Sequence, residues 1–415
     1  MSEKIPKDWK WVKLGEAPLK IIDGDRGKNY PSNNDLKNNG YCLFLSTKNV
    51  KSDGFCFDEC QFITKEKDEA LKKGKLKRFD LVFTTRGTVG NVGYFNSKVK
   101  YENIRINSGM VIIRPDTRSL NPEFNYYIFR FIGKCINSFV SGSAQPQLPI
   151  RDLKEVKIPL PPLPEQKAIA EVLSSIDDKI DLLHRQNKTL EEMAMTLFRQ
   201  WFIEPTKDGL PEGWEECTLN DLCLKIASGG TPSTKIKEYY DGHINWYSTK
   251  ELNDGFLFES EKKITLQGLE NSSAKLFPKG TIVMAIYAAP TVGRLGILTN
   301  EASFNQAACG LVPNTEVCST EFLYLYLKSE RENLNIMASG SAQQNLNVNK
   351  IKTYPTIKVP KNIMIRFNKI VRPIFHKIEN NSYQIQTLEK LRDTLLPKLM
   401  SGEVRVKVEN NELKG

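Results

Sequence analysis

The chain has 415 residues, 40% of them hydrophobic and 26% charged, which is enough apolar sequence for two or three folded domains and excludes a disordered chain. Lys and Arg total 59 against 49 Asp and Glu, so the formal net charge is +10. This surplus favours a polyanionic partner such as nucleic acid, although a basic protein without such a partner can have the same composition. The longest apolar run, residues 282–289, is too short to cross a membrane.

The cysteines and the first residues do not indicate export or zinc binding. The eight cysteines include no C-x-x-C pair and the chain has only three histidines, so the spacing of zinc ligands is absent. The N-terminal residues contain no apolar stretch of the signal-peptide type. We therefore expect reduced, partly buried thiols, a cytoplasmic protein and no membrane partner.

Short segments recur in the same order in the two halves of the chain, with offsets of 198 to 203 residues. The matches include Ser46-Thr47-Lys48 with Ser248-Thr249-Lys250, Thr88-Val89-Gly90 with Thr291-Val292-Gly293, Asn107 with Asn305, and Ser141-Gly142-Ser143-Ala144-Gln145 with Ser339-Gly340-Ser341-Ala342-Gln343. Matches in one order over nearly 200 residues indicate that the chain contains two copies of one unit.

Each copy begins with a mixed segment of about 150 residues and ends with a long helix. In the mixed segment, β-like runs such as 81–85 alternate with turns rich in Gly, Asn and Pro. Residues 165–202 then contain neither Pro nor Gly, which predicts one uninterrupted helix. The expected boundaries are 1–158 for the first domain, 159–205 for the first helix, 206–357 for the second domain, and 358–415 for the second helix and tail.

Both long helices carry core positions at intervals of seven residues, which favours a helix as partner, although two separate amphipathic helices remain an alternative. The series are Leu173, Ile180, Asn187, Ala194, Trp201 with Ile176, Leu183, Leu190, Leu197 in the first helix, and Val371, Ile378, Ile385, Arg392, Leu399 with Ile374, Asn381, Leu388, Leu395 in the second. The predicted fold class is α+β: two pseudo-repeated mixed α/β domains separated by two long antiparallel coiled-coil helices.

The heptads also restrict the register of an antiparallel pair, in which the numbers of facing residues have a constant sum. Core positions face core positions only for sums of 561, 568 or 575. The sum of 568 sets Asn187 opposite Asn381, where two amides can bond each other instead of facing an apolar side chain. The same register sets Ile176 opposite Arg392, whose guanidinium we expect to reach water near an end of the pair.

Motifs for catalysis are absent from the sequence. It contains no P-loop, no G-x-S-x-G elbow and no H-E-x-x-H. The Asn-Pro-Pro-aromatic tetrad of adenine methyltransferases is also absent, because Asn121-Pro122 is followed by Glu123. Asp116 with Glu155 and Lys157 resembles a nuclease pattern in outline, but the spacing is long and the second copy does not keep it. Asp116 and Glu155 are better interpreted as solvated surface residues.

Polar turns occur at corresponding places of the two copies and are candidates for binding nucleic acid. Lys and Arg reach phosphates, whereas Gln, Asn and Arg can bond base edges with two hydrogen bonds. Ordinary turn chemistry at strand ends is the alternative for any single residue. Arg86 corresponds to Ala288 or its neighbours, so corresponding turns of the two copies carry different side chains. The candidates are Lys48, Asn49, Arg86, Thr88, Asn91, Gln145, Gln147, Lys250, Tyr287, Thr291, Arg294, Gln343 and Gln344.

Over essentially its whole length the chain resembles the specificity subunits of type I restriction–modification systems. The motifs that carry the resemblance are Pro6-Lys7-Asp8-Trp9, Leu160-Pro161-Pro162-Leu163-Pro164-Glu165-Gln166, Leu210-Pro211-Glu212-Gly213-Trp214, Ser228-Gly229-Gly230-Thr231-Pro232-Ser233 and Leu395-Leu396-Pro397-Lys398-Leu399-Met400-Ser401-Gly402-Glu403, together with the repeated segments. The first half has Asp23-Gly24-Asp25-Arg26-Gly27-Lys28 in place of the Ser-Gly-Gly-Thr-Pro-Ser run, and the second helix lacks the Pro-Glu-Gln entry.

The resemblance implies a sequence-specific DNA-binding subunit in which two target-recognition domains each read half of a bipartite, asymmetric site on double-stranded DNA. It implies helices that act as a spacer and dock two methyltransferase subunits, which methylate adenine, and restriction subunits that cleave. S-adenosylmethionine, ATP and Mg²⁺ are expected on those partners, with no cofactor, metal or catalytic residue in this chain. A fused restriction–methylation enzyme and a coiled-coil scaffold that binds only proteins remain alternatives.

Overall fold

The computed structural model describes residues 5–136, 146–287, 292–339 and 345–407. The chain divides into two compact units, which we call unit 1 (Met1–Lys179 with Leu388–Gly415) and unit 2 (Ile180–Thr387). Each long helix contributes one segment to each unit, since the division falls within both helices.

Unit 1 contains a four-stranded antiparallel sheet of order β2-β10-β7-β8 and a three-stranded sheet of order β6-β3-β9, while β1 pairs with β11 and β4 with β5. The strands are β1 (Lys10–Lys13), β2 (Leu19–Asp23), β3 (Cys42–Leu45), β4 (Val50–Lys51), β5 (Gly54–Phe55), β6 (Phe62–Ile63), β7 (Leu81–Thr84), β8 (Val92–Tyr94), β9 (Ile104–Ile106), β10 (Met110–Pro115) and β11 (Lys157–Leu160). The helices are α1 (Lys65–Ala70), α2 (Pro122–Cys135), α3 (Ile150–Glu155) and the first long helix, α4 (Leu163–Phe198), which continues into unit 2.

Unit 2 repeats this arrangement with a five-stranded sheet of order β13-β20-β17-β18-β15, a three-stranded sheet of order β16-β14-β19 and the pair β12 and β21. The strands are β12 (Glu215–Thr218), β13 (Cys223–Ser228), β14 (Tyr240–Tyr247), β15 (Gly255–Leu257), β16 (Lys262–Ile264), β17 (Ile282–Ala285), β18 (Leu295–Leu298), β19 (Ala302–Phe304), β20 (Ala308–Pro313) and β21 (Pro355–Lys358). The helices are α5 (Leu219–Leu222), α6 (Leu266–Glu270), α7 (Thr320–Ser329), α8 (Arg331–Ser339), α9 (Val348–Lys352) and the second long helix, α10 (Lys361–Ser401).

The registers show that the two units are copies of one fold. Val111 of β10 faces Phe83 of β7, and the corresponding residues Cys309 and Met284 face each other in unit 2. The units differ at the sheet edge, because β15 pairs with β18 and widens the main sheet, whereas β5 pairs with β4. The prediction of an α+β chain with two pseudo-repeated domains is confirmed.

The helix after each main sheet begins at a side-chain cap. Asn121 accepts a hydrogen bond from the backbone N–H of Phe124 at 2.8 Å before α2, with Pro122 in the first turn. Ser319 accepts from the N–H of Phe322 at 3.1 Å before α7. Such caps satisfy N–H groups that have no partner within the helix, so the starts of α2 and α7 are fixed by local sequence.

Each unit buries its own core, to which segments of both long helices contribute. In unit 1, Leu173 of α4 and Leu399 of α10 are buried with Phe124 and Phe129 of α2. In unit 2, Phe198 of α4 and Phe367 of α10 belong to the corresponding core. Removal of this apolar area from water is the main source of stability for helices that would not persist alone.

The two long helices are antiparallel within unit 2, where an asparagine pair lies in the seam between them. Asn381 is fully buried, and its Nδ2 donates to Oδ1 of Asn187 at 2.9 Å. Asn187 Nδ2 in turn donates to the hydroxyl of Ser382 at 3.0 Å. The rings of Phe202 and Phe367 lie 4.7 Å apart further along the pair. The structure thus brings together the two amides that the sum of 568 selects.

The helices are also antiparallel within unit 1, but the contact there is ionic. Arg392 Nη1 donates to Oδ1 of Asp177 at 2.9 Å. Arg405, in the tail beyond α10, bonds Glu165 near the start of α4. The expectation that Arg392 reaches water is wrong, because its side chain is only 14% exposed. Heptad spacing set Arg392 opposite the apolar Ile176, whereas in the structure its guanidinium pairs with the next residue, Asp177.

The cysteines whose side chains the structure describes are all free. Burial raises the pKa of Cys42, Cys223 and Cys309 to about 12, so these thiols stay protonated at neutral pH and react poorly. Within the described segments, no helix is both long and apolar enough to cross a membrane.

Replacement of Asn381 by Ala should lower the free energy of unfolding of the full chain by about 1–3 kcal/mol, because its buried bond to Asn187 is lost and the partner amide is left without it. Replacement of both Asn187 and Asn381 by Leu should restore most of that loss, since two apolar side chains then face each other. Urea unfolding measures both variants. The exposed Gln384 provides the control, and Q384A should stay within about 0.5 kcal/mol of the parent. A parental midpoint for N381A would show that the amide pair does not stabilise the chain.

Candidate nucleic-acid interface

Three loops of unit 1 meet at one exposed tip, held by backbone hydrogen bonds. The carbonyl of Gly109 accepts from the N–H groups of Thr85 at 2.9 Å and Arg86 at 3.2 Å, and the carbonyl of Thr85 accepts from Leu148 N–H at 2.9 Å. Arg86 and Gln147 pair as an isolated β-bridge, and both residues are exposed. Backbone atoms therefore build this tip, and the side chains of Arg86 and Gln147 are displayed to solvent, whereas Thr85 and Leu148 are buried.

A fourth turn joins the same tip through close contact with a glycine. A Cβ atom on Gly109 would lie 2.9 Å from Cγ2 of Thr47 and 3.9 Å from Cβ of Arg86. The absence of a side chain at 109 thus lets the turn Thr47–Asn49 pack against the loop that carries Arg86. Lys48 is exposed on this turn, so two candidate cations lie on neighbouring turns of one surface.

Asn49 is not available at this surface. It is only 4% exposed, and its Oδ1 accepts from the backbone N–H of Ser46 at 2.9 Å. Its Nδ2 donates to the carbonyls of Cys56 at 3.1 Å and Glu59 at 2.8 Å. Glu251 holds the corresponding turn of unit 2 by accepting from Ser248 N–H at 2.7 Å. We therefore assign Asn49 a positioning role in place of the DNA contact expected from sequence.

Asn91 also serves the frame, whereas Thr88 remains at the surface. The Asn91 Nδ2 donates to the carbonyl of Val50 at 2.9 Å, and its backbone N–H donates to Oγ1 of Thr84 at 2.9 Å. Thr88 is exposed, and its carbonyl accepts a short bond from the Thr84 hydroxyl. Of these two candidates, only Thr88 presents its side chain freely to solvent.

Unit 2 repeats the tip with a different exposed residue. Ile286 N–H donates to the carbonyl of Ala307 at 2.9 Å, and Leu346 N–H donates to the carbonyl of Ile286 at 2.9 Å. These bonds match those of Thr85 in unit 1. The next residue, Tyr287, is 38% exposed and takes the place of Arg86. An aromatic hydroxyl thus replaces a cation on an otherwise equivalent backbone.

The remaining described candidates of unit 2 are Lys250 and Arg294. Lys250 is exposed in the turn Thr249–Glu251, and its Nζ lies 3.7 Å from a carboxylate oxygen of Glu261. Such an exposed pair is weak, so the ammonium can exchange it for a phosphate. Arg294 is only half-buried, at the start of β18. Gln145, Thr291, Gln343 and Gln344 lie outside the described residues.

The turn before β15 anchors the tip loop of unit 2 through a pair of charged residues that sequence analysis missed. Both guanidinium Nη atoms of Arg331 bond the Asp254 carboxylate, one of them at 2.7 Å, and Arg331 Nε donates to the carbonyl of Gly293 at 2.8 Å. Burial alone would raise the pKa of Asp254, but the bonds from Arg331 and from Leu295 N–H hold this pKa below its ordinary value. The repeated Asp-Gly of residues 53–54 and 254–255 was the available signal.

The described segments offer no cluster of His, Cys, Asp or Glu that could hold a metal ion. Asp116 pairs with Arg118 at 3.1 Å and Glu155 with Lys13 at 2.7 Å. Each carboxylate is thus engaged by a different cation, as expected for surface residues rather than for ligands of one ion.

Comparisons with known proteins agree over almost the whole chain. The family model of the type I restriction modification DNA specificity domain matches residues 6–192 and 211–390. The MjaIX specificity subunit of Methanocaldococcus jannaschii is 28% identical over 97% of this chain and 95% of its own, and the HindI specificity subunit of Haemophilus influenzae is 25% identical over 96% of this chain and 100% of its own. The crystal structure of the S subunit from M. genitalium has the same fold, with a TM-score of 0.60, 16% identity and coverage of 96% of this chain and 97% of that one.

The positioning role of Asn49 predicts a loss of stability when its amide is removed. N49A should lower the free energy of unfolding by about 1–3 kcal/mol, because the buried amide of Asn49 is removed and the carbonyls of Cys56 and Glu59 lose their donor. K48A, at the exposed neighbouring position, should change it by less than about 0.5 kcal/mol. Thermal melting of both variants measures the difference, and equal melting temperatures would argue against this role for Asn49.

Proposed function

The chain belongs to the type I restriction modification DNA specificity family, and we propose that it reads a bipartite, asymmetric site on double-stranded DNA, one half with each unit. The observation that carries the proposal is the pair of equivalent tips with different side chains, Arg86 in one and Tyr287 in the other. A constant frame with a changed surface is what two modules need in order to recognise different base sequences.

Within this proposal the exposed cations bind the DNA backbone and the tip residues face the bases. Lys48 and Lys250 lie on matching turns, and a lysine ammonium suits phosphate contact. Arg86 can bond guanine O6 and N7 with two N–H groups, whereas Tyr287 can offer one hydroxyl and an aromatic face. The two units would therefore prefer different bases.

The chemistry of restriction and modification is assigned to partner subunits. We propose two methyltransferase subunits that methylate adenine and restriction subunits that cleave, with S-adenosylmethionine, ATP and Mg²⁺ bound by those partners and no catalytic group in this chain. The support is the lack of catalytic motifs in the sequence and the specificity-subunit names of the relatives. A cytoplasmic place of action, the spacer role of the helices and the domain boundaries at 158, 205 and 357 belong to the same proposal.

Loss of the exposed cations tests DNA binding. R86A, K48A and K250A should each weaken binding to duplex DNA, and each lost phosphate contact should reduce the slope of log affinity against log salt by about one unit. Because Arg86 faces the bases in this proposal, R86A should instead cost about 1–3 kcal/mol at one base pair and leave the salt slope unchanged. Titrations of the full chain on duplex DNA at several salt concentrations separate these outcomes.

Lys167, exposed on α4, is the matched control, and K167A should keep both the affinity and the salt slope. Unchanged affinity and slope in all three tip variants would contradict the placement of DNA at these turns. Absence of any salt-dependent binding by the parent would favour a protein-only scaffold. Methyl transfer by the chain without partners would favour a fused enzyme.

A further inference from the structure

The loop after β13 in unit 2 is held tightly by backbone contacts on both sides of Gly230. Gly230 N–H donates to the carbonyl of Phe304 at 2.9 Å, and the indole N–H of Trp246 donates to the carbonyl of Gly230 at 2.9 Å. A Cβ atom at position 230 would lie 2.2 Å from the carbonyl carbon of Ser273. Only glycine permits this approach, so the position of the next residue, Thr231, is fixed by the fold.

The fixed loop presents its threonine hydroxyl to a glutamine 75 residues away. The Tyr240 hydroxyl donates to the carbonyl of Pro232 at 2.7 Å, which holds the far side of Thr231. The Thr231 hydroxyl donates to Oε1 of Gln306, whose residue is exposed. The Gln306 Nε2 has no hydrogen-bond partner among the residues that the structure describes. The Thr231 hydroxyl thus orients the exposed amide of Gln306 through its oxygen and leaves the Nε2 donors of that amide available.

Gln306 lies on the tip proposed to face DNA. It stands between Asn305, whose Oδ1 accepts from Ala307 N–H at 3.1 Å, and Ala307, whose carbonyl accepts from Ile286 N–H at 2.9 Å just before Tyr287. The turn that carries Gln306 is therefore rigid and adjacent to Tyr287. The repeat places Ser108 at the corresponding position of unit 1, where no long amide is available.

We propose that Gln306 is a specificity-determining residue of unit 2 that reads an adenine, and that Thr231 is its positioning residue. A carboxamide oxygen has two lone pairs, so the bond from Thr231 leaves one free to accept from adenine N6 while Nε2 donates to adenine N7. This inference rests on the proposed function, because it needs the unit 2 tip to face the major groove.

The test is in vitro selection of duplex DNA from a randomised library by the full chain and its variants, followed by titration on the selected site. Q306A should lose about tenfold in preference for one A·T pair within one half-site, while the other half-site and the salt slope stay as in the parent. T231V should relax the same position, and T231S, which keeps the hydroxyl, should restore it. Gln200, exposed just after the first long helix, is the control, and Q200A should select the parental site.

Selection of the parental site by Q306A with undiminished discrimination would overturn the inference and leave the proposed function intact. Equal loss of affinity by Q306A on every sequence, with a flatter salt slope, would also overturn it and would assign Gln306 to a phosphate. If the parent itself selects no sequence, the proposed function fails and the inference fails with it. The unaffected half-site reports that each variant is folded.

Discussion

Backbone hydrogen bonds between loops hold the tip of each unit, and this constraint allows the exposed side chains to differ. The bonds of Thr85 to Gly109 and Leu148 recur at Ile286 with Ala307 and Leu346. Because backbone groups build the tip, a change from Arg86 to Tyr287 leaves the frame intact while it alters what a partner meets. This separation of frame from surface is the physical basis for proposing two readers of different sequences in one chain.

Equivalent positions of the two long helices also carry different side chains in the two units. In unit 1, Asp177 accepts hydrogen bonds from Arg392 of α10 and, at 2.8 Å, from the hydroxyl of Tyr127. The repeat places the buried Phe375 and Ala194 at the corresponding positions of unit 2. An ionic network in unit 1 and buried apolar side chains in unit 2 therefore occupy equivalent places on the long helices. The two copies share a backbone arrangement without sharing the interactions that stabilise it.

The sequence was sufficient for features that depend on spacing and insufficient for those that depend on distant partners. Seven-residue spacing predicted the contact of Asn187 with Asn381, because this contact requires only that two helices pair through their core positions. The Asn49 amide bonds carbonyls of the following loop, at Cys56 and Glu59, and no local sequence pattern predicts these bonds. Thr231 follows β13 and Gln306 follows β19. Their hydrogen bond could not be predicted from sequence, because it depends on how the sheets assemble.

A domain exchange tests whether each unit reads its own half of the DNA site. Residues 1–155 would be replaced by the corresponding half of a relative, and the sites selected by parent and exchanged chain would be compared base by base. If each unit reads its own half, one half-site should change to that of the donor while the other half-site is retained. A change in both half-sites would contradict it, because the two units would then share one reading surface.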